Sequence, residues 1–368
     1  MTKRLYKIGL THGDFNGIGY EVLLKTLADE RMGELFVPVV YGVRRIMDYY
    51  LNLFELKLPF PVETINDPEE AKAGVISLIE VSGPENGRYE VTPGSPSAES
   101  GRSAVYALER ARKDLDEGRI DGLVTAPIHK ETAHGVVLSD GVETFPGGHT
   151  EFIAATHPDE KAMMIFSDLN GLRVGLLTIH RPLSEVSEAI TREGIINAAR
   201  RFEKVLKADF GIEKPRLAIM GLNPHAGENG LMGHEETETI IPAVKDLWET
   251  GMMAFGPYPS DGFWGNRSWA KFDGVLALYH DQGLIPFKMM AMNRGVNITA
   301  GLSVVRTSPD HGTAFDIAGK GEADPGSFRA SVYQAIDILR QREAFAENTS
   351  NPLPFNAGHR RREGREFE

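Results

Sequence analysis

The chain has no cysteine among its 368 residues, which excludes disulfides, thiolate metal ligands and a cysteine nucleophile and leaves histidine and carboxylate as the strong metal-binding side chains. Basic residues are also in deficit: 40 Lys and Arg face 52 Asp and Glu, a formal net charge of -12. That balance argues against nucleic acid as a partner, because phosphate backbones are held by a basic face. An anionic small molecule must instead be met by a local cluster of Lys, Arg and amide groups. No apolar run approaches the roughly 20 residues that span a bilayer. The start, Met1-Thr2-Lys3-Arg4, leads into no apolar signal core or small-residue cleavage site, so a cytoplasmic protein away from the membrane is expected. The dinucleotide fingerprint G-x-G-x-x-G and the Walker A sequence are both missing.

What is present is the composition of an ordinary globular protein, with 41% hydrophobic and 25% charged residues. A chain of 368 residues exceeds what one core serves, which predicts two domains. Apolar runs alternate with helical periodicity. Strands are expected over 5–10, 36–41, 75–81, 122–127, 163–166, 173–180, 216–222 and 274–280, and helices over 20–28, 44–54, 98–117, 191–207, 235–250 and 326–345. Such alternation indicates an α/β fold with a mostly parallel sheet. The segments 82–103 and 135–148 are irregular, and 346–368 is a polar tail with Arg360-Arg361-Arg362.

The run Gly274-Val275-Leu276-Ala277-Leu278-Tyr279 stops at His280-Asp281-Gln282-Gly283, as a buried strand would on delivering a histidine to a site. Two other runs end alike, at His180 and at Asn223-Pro224-His225. If their strands are parallel, His180, His225 and His280 converge on one sheet edge, enough to hold a divalent metal with open positions. A hydrogen-bonded loop residue is the plain alternative for each. Lys288, Asn297 and Arg306 follow within short reach, separated by Gly-containing segments read as flexible. They are the cation and amide set a phosphate monoester needs, or else three solvent-facing polar residues. The turn His12-Gly13-Asp14-Phe15-Asn16-Gly17-Ile18-Gly19 is either a phosphate cradle at a helix start or a tight turn that requires glycine.

The segments Gly221-Leu222-Asn223-Pro224-His225-Ala226-Gly227-Glu228, Tyr279-His280-Asp281-Gln282-Gly283-Leu284, Arg294-Gly295-Val296-Asn297 and Arg306-Thr307-Ser308-Pro309-Asp310-His311-Gly312-Thr313-Ala314 closely resemble the 4-hydroxythreonine-4-phosphate dehydrogenase family of pyridoxal phosphate biosynthesis. The resemblance runs from about Lys7 to about Leu339. It implies an isocitrate and isopropylmalate dehydrogenase-like fold with the site in an interdomain cleft: a first α/β domain of residues 1–147 plus 307–345 and a second of 148–306. It implies that His180, His225 and His280 bind a divalent metal (zinc, magnesium or cobalt) shared between the subunits of a homodimer. His149 and Thr150, with Lys288, Asn297 and Arg306, fall on its substrate-binding positions. The implied reaction is oxidation of 4-hydroxythreonine 4-phosphate, a small phosphorylated amino acid, by NAD or NADP to a 3-oxo acid that decarboxylates. Which residue takes the hydroxyl proton, and which hold the nicotinamide cofactor, the resemblance leaves open.

Some positions depart from the family pattern. Phe15, Asn16 and Tyr20 replace Pro, Ala and Pro in the first turn, the connection 134–148 is longer than usual, and His234 stands where Arg is common. A dehydrogenase of another 4-phosphorylated sugar acid, threonate or erythronate 4-phosphate, is therefore a second expectation. A metal-dependent phosphatase using the same histidines to activate water is a third.

Overall fold

Buried apolar runs set the strands. The computed structural model describes residues 4–81, 89–139 and 141–351; the tail beyond, with Arg360, Arg361 and Arg362, and positions 82–88 of the first irregular segment lie outside the described residues. In the first part of the chain, strands β1 (Tyr6–Thr11), β2 (Phe36–Gly42), β3 (Val62–Ile65), β4 (Ile76–Glu80) and β5 (Gly122–Thr125) alternate with helices α1 (Gly19–Leu27), α2 (Arg44–Leu53) and α3 (Ala98–Asp116). Short helices α4 (Lys130–Ala133) and α5 (His149–Ala154) follow. The capping box of Ser97 and Ser100 starts α3, and its apolar stripe of Val105, Leu108, Ala111 and Leu115 is buried as its spacing predicts.

The second part supplies β6 (Met163–Ser167), β7 (Arg173–Leu176), α6 (Val186–Ala189), α7 (Arg192–Ala208) and β8 (Leu217–Met220). A π-helical turn (Glu236–Ile240) then opens α8 (Ile241–Glu249). After it come β9 (Ala254–Tyr258), α9 (Ser260–Gly265), β10 (Gly274–Ala277), α10 (His280–Ala291), β11 (Val296–Ala300), β12 (Arg306–Pro309) and α11 (Gly326–Thr349).

All of these strands belong to one 12-stranded sheet, in the order β3-β4-β2-β1-β5-β12-β11-β6-β7-β10-β8-β9. The block from β3 to β12 is parallel, and so is the block from β7 to β9. Between them β11 is antiparallel to both neighbours and β6 is antiparallel to β7, so the two parallel blocks run in opposite directions. The expected α/β class with a mostly parallel sheet is what the chain forms, and among the described residues no helix is long and apolar enough to cross a membrane.

Four strands, β3, β9, β11 and β12, escaped the sequence pattern for physical reasons; β12 is a buried strand of mostly polar residues, Arg306-Thr307-Ser308-Pro309. β3 and β9 are the two sheet edges, covered on fewer sides, and β3 exposes Glu63 and Thr64. β11 carries Asn297 and Thr299 within a buried strand because that face lines a cavity. The segments that separate Lys288, Asn297 and Arg306 are largely regular structure: α10 runs on to Ala291, a 3₁₀ turn covers Met292–Arg294 and β11 spans Val296–Ala300. Earlier on α10, a Cβ at Gly283 would fall 2.8 Å from Val174 and 2.9 Å from Ala277 and Leu176, so this glycine lets the helix close onto the sheet. The last helix runs to Thr349, past the expected start of the tail.

The glycine turn after β1 is a packing device. Gly13 has φ +66, and a Cβ there would lie 2.2 Å from the Pro127 carbonyl oxygen, so the turn needs glycine where its backbone closes on Pro127. Phe15, Asn16 and Tyr20 are fully buried within it.

Candidate active site

Where the two blocks meet, β6, β11 and β12 present one face to a cavity of about 350 Å³. The register places Phe166, Asn297 and Ser308 in one row and Met164, Thr299 and Arg306 in the next, on the same face by the two-residue repeat of a strand. Arg306 is 3% exposed, and its guanidinium donates to Thr125 Oγ1 (Nε 3.1 Å, Nη2 2.6 Å) and Thr299 Oγ1 (Nη1 3.1 Å). No carboxylate among the described residues forms an ion pair with it. Burial pulls its pKa down to about 9, with the Glu151 charge opposing, so the guanidinium remains cationic at neutral pH. A buried cation with only hydroxyl partners is costly until an anion arrives.

α5 brings His149 and Thr150 to the same cavity. The His149 ring is held well below the ordinary histidine pKa, chiefly by burial and then by the positive charges of Arg306 and Lys130, so it is neutral. Its Nε2 and the Asn297 Oδ1 are buried without a hydrogen-bond partner, which leaves hydrogen-bonding capacity for a ligand in the cavity both residues line. Thr150 Oγ1 lies 3.2 Å from Thr299 Oγ1 and so joins the Arg306 network. Lys288 stands at the exposed rim with Nζ 3.4 Å from Asp310 Oδ1; burial raises the Asp310 carboxyl pKa, and Lys288 opposes that rise. His149, Thr150, Lys288, Asn297 and Arg306 are thus brought together. Thr125, Thr299 and Asp310 were missed as site residues. The alternation of Thr299 with Asn297 along β11 is the signal that could have exposed one of them.

The histidines divide. β7, β10 and β8 are adjacent and parallel, so the strand ends are arranged as expected. His180 and His280 both line the cavity, with ring centroids 6.1 Å apart. His280 begins α10, and its Nδ1 is 2.7 Å from Asp281 Oδ1, an orienting contact that leaves Nε2 for a ligand. Burial, then Lys130, lowers the pKa of His180 and favours the neutral form a metal requires. His225 does not join them. It is exposed, in a turn whose backbone is left-handed from His225 to Asn229, and the described residues of one chain hold no group of three His, Asp or Glu that could share a metal. The expected convergence of three imidazoles within one chain is corrected to two. Imidazole donors still suit zinc or cobalt, and the pair fits a metal whose remaining ligand comes from elsewhere.

A second cavity of about 390 Å³ adjoins the first, sharing Lys130, Gly148, Glu151 and His180 and edged by Pro146 and Gly147 of the long connection. His234 is exposed and lines neither.

Comparison with known proteins bears on the whole of this arrangement. The model of the family described as pyridoxal phosphate biosynthetic protein PdxA matches residues 34–335. A 4-hydroxythreonine-4-phosphate dehydrogenase of Bacteroides thetaiotaomicron is 45% identical over 353 residues, 96% of this chain and 94% of its own. One from Prosthecochloris aestuarii is 41% identical over 340 residues, 90% of this chain and 97% of its own. The crystal structure of the Klebsiella pneumoniae 4-hydroxythreonine-4-phosphate dehydrogenase superimposes with a TM-score of 0.76 at 31% identity, covering 92% of this chain and 99% of that one. The match spans both parallel blocks and the cavity at their junction, and the chain belongs to the PdxA family of pyridoxal phosphate biosynthetic proteins.

Proposed function

We propose that this protein is an NAD- or NADP-dependent, metal-assisted dehydrogenase that oxidises the C3 alcohol of 4-hydroxythreonine 4-phosphate to a 3-oxo acid, which loses carbon dioxide to give 3-amino-2-oxopropyl phosphate for pyridoxal phosphate. The observation that carries the reading is the buried, carboxylate-free guanidinium of Arg306 beside Asn297 and neutral His149. The names of the relatives support the same substrate.

Arg306 receives the phosphate through charge-assisted hydrogen bonds, with Lys288 at the rim adding a point charge. His149 Nε2 and Asn297 Oδ1 pair with polar groups of the substrate. Together these groups, from α5, α10, β11 and β12, fix the far end of the molecule, so the reacting carbon is oriented toward His180 and His280. Those two imidazoles would hold the divalent metal, which when bound supplies a Lewis acid that polarises the alcohol and then the ketone. The nicotinamide supplies the hydride acceptor, and the adjoining cavity gives it room.

The functional unit is a homodimer with shared active sites. Ile285, Met289 and Met292 form a stripe 57%, 73% and 73% exposed along and just beyond α10, the helix that carries His280 and Lys288. Leu231, 77% exposed, follows the His225 turn. Apolar exposure of this kind beside an incomplete ligand set suits a second copy.

The test is an assay of purified protein with metal and NAD or NADP. It is offered 4-hydroxythreonine 4-phosphate, threonate 4-phosphate, erythronate 4-phosphate and the unphosphorylated alcohol, while nicotinamide absorbance and free phosphate are followed. Arg306→Ala should cost about 2 kcal/mol in kcat/KM, roughly 30-fold, against the phosphate ester, and almost nothing against the alcohol. Phosphate release without reduced nicotinamide would make the protein a phosphatase. Equal losses on both substrates would remove Arg306 from phosphate recognition.

A further inference from the structure

The turn that carries His225 is built in an unusual way. His225, Ala226, Glu228 and Asn229 have φ of 53, 50, 40 and 57°, with Gly227 at 77° between them, a left-handed course that L residues other than glycine adopt only at a cost in free energy. Something must hold it. Directly against it lies Glu236, 1% exposed, with no cation paired to it among the described residues. Its Oε1 accepts from the backbone N–H groups of Leu222 and Asn223, both at 2.7 Å, and its Oε2 from Asn223 Nδ2 at 2.9 Å.

Two further observations converge on the same carboxylate. Glu236 opens the π-helical turn Glu236–Ile240, and consecutive carboxylates there reach one amide, since Glu235 Oε2 also accepts from Asn223 Nδ2 at 2.7 Å. Glu235 Oε1 in turn takes the Ser187 hydroxyl at 2.6 Å, tying the turn to α6, which follows His180. Room for the carboxylates is kept by glycine: a Cβ at Gly227 would lie 2.6 Å from Glu236 Oε2, and one at Gly233 2.7 Å from Glu235 Oε2.

We propose that Glu236 is a positioning residue for the metal: acting through Asn223, its carboxylate holds the 223–230 turn in its left-handed course and so sets the direction in which His225 leaves the chain toward the partner's site. The inference rests on the reading of His225 as a ligand. Glu235 and Ser187 fix the same turn relative to the His180 segment.

The experiment titrates zinc alone into metal-free dimer by calorimetry, alongside assays of turnover at graded zinc. Glu236→Gln keeps the shape but turns one acceptor into a donor facing donors. Zinc affinity should fall about 10- to 100-fold, the usual scale for a group that orients a ligand, while saturating zinc restores kcat. Adding Glu228→Gly, which removes the left-handed penalty at one position, should return part of the affinity to the Glu236→Gln protein. Asn223→Ala removes the hub of the clamp and should weaken zinc in the same range; it decides the matter if Glu236→Gln does not fold. Undiminished zinc binding in Glu236→Gln or Asn223→Ala, a kcat loss that zinc does not restore, or no recovery with Glu228→Gly would each overturn the proposal. His225→Ala tests the underlying reading separately. If that variant binds zinc like the parent, His225 is not a ligand, whereas loss there with no loss in Glu236→Gln removes only the role of Glu236.

Discussion

The turn after β1 and the turns after β7, β8 and β10 all leave buried strands at their carboxyl ends and all carry a histidine with acid or amide groups nearby, yet they use them in opposite ways. After β1 the polar groups are turned inward. His12 stacks on Tyr20 at 4.9 Å, Asp14 accepts from Ser100 Oγ and the Asn16 backbone N–H at 2.9 Å each, and Asn16 Nδ2 reaches the Ser95 carbonyl. In the second block His180 and His225 are exposed and His280 is half-exposed at the cavity mouth. A polar cluster closed on itself, as this one is apart from the buried and unpartnered His12 Nδ1, is structure. One that leaves hydrogen-bonding capacity facing a cavity is a site, and the same strand-turn-helix grammar can serve either.

The largest expected effect breaks the open side of that contrast. His280→Ala removes an imidazole whose loss does not disturb the core, so thermal unfolding should be unchanged. kcat/KM should fall by several kcal/mol, on the order of 10³-fold, the share a Lewis acid contributes to such chemistry. Chelator treatment of the parent should reproduce the loss. Full turnover by metal-stripped His280→Ala would sink the metal reading.

The next effect belongs to the closed side and appears as a pH dependence of stability. Burial lowers the pKa of His12 from about 6.5 to about 4, so on falling pH the unfolded chain takes up a proton that the folded chain refuses. The contribution is therefore complete above about pH 6.5 and is lost progressively toward about pH 4, amounting to about 3 kcal/mol for this group. The buried His149 acts in the same direction. Urea unfolding followed from pH 7 to pH 4.5 should show the decline, and His12→Gln should flatten it. An unchanged slope in that variant would mean that His12 does not stay neutral in the folded acid-side protein.

Much of this was legible before folding. The apolar runs gave β1, β2, β4 and β5 of the first block and β6, β7, β8 and β10 beyond it, and the abrupt ends of β7, β8 and β10 pointed to three histidines. Lys288, Asn297 and Arg306 read either as a phosphate set or as three solvent-facing polar residues, and the structure brings them to one cavity. What their spacing could not tell is that α10, β11 and β12 carry them: Gly283 looks like a loop residue until Val174 and Leu176 are seen against it, and β11 and β12 are strands in which polar residues are buried. Nor does a sequence announce that Asn223-Pro224-His225 enters a left-handed turn, since that course depends on Glu236, more than ten residues away, closing on Asn223. Thr125, which holds Arg306 from 181 positions away, is likewise a product of strand order and not of pattern.

The smallest effect sharpens the contrast from the closed side. Ser100 Oγ serves Asp14 Oδ2 at 2.9 Å and completes the capping box of α3 with Ser97, so Ser100→Ala leaves a buried carboxylate one donor short and frays a helix start. Either loss alone is worth roughly 1 kcal/mol, and because they share one hydroxyl the sum should be about 1–2 kcal/mol. The expected result is a lowered melting temperature with kcat/KM and zinc affinity unchanged, because neither Ser100 nor Asp14 is among the residues lining the cavity of His180 and His280. If Ser100→Ala instead shifted zinc affinity while the melting temperature held, the turn after β1 would be coupled to the metal ligands, and its inward-turned polar groups would have to be counted as part of the site.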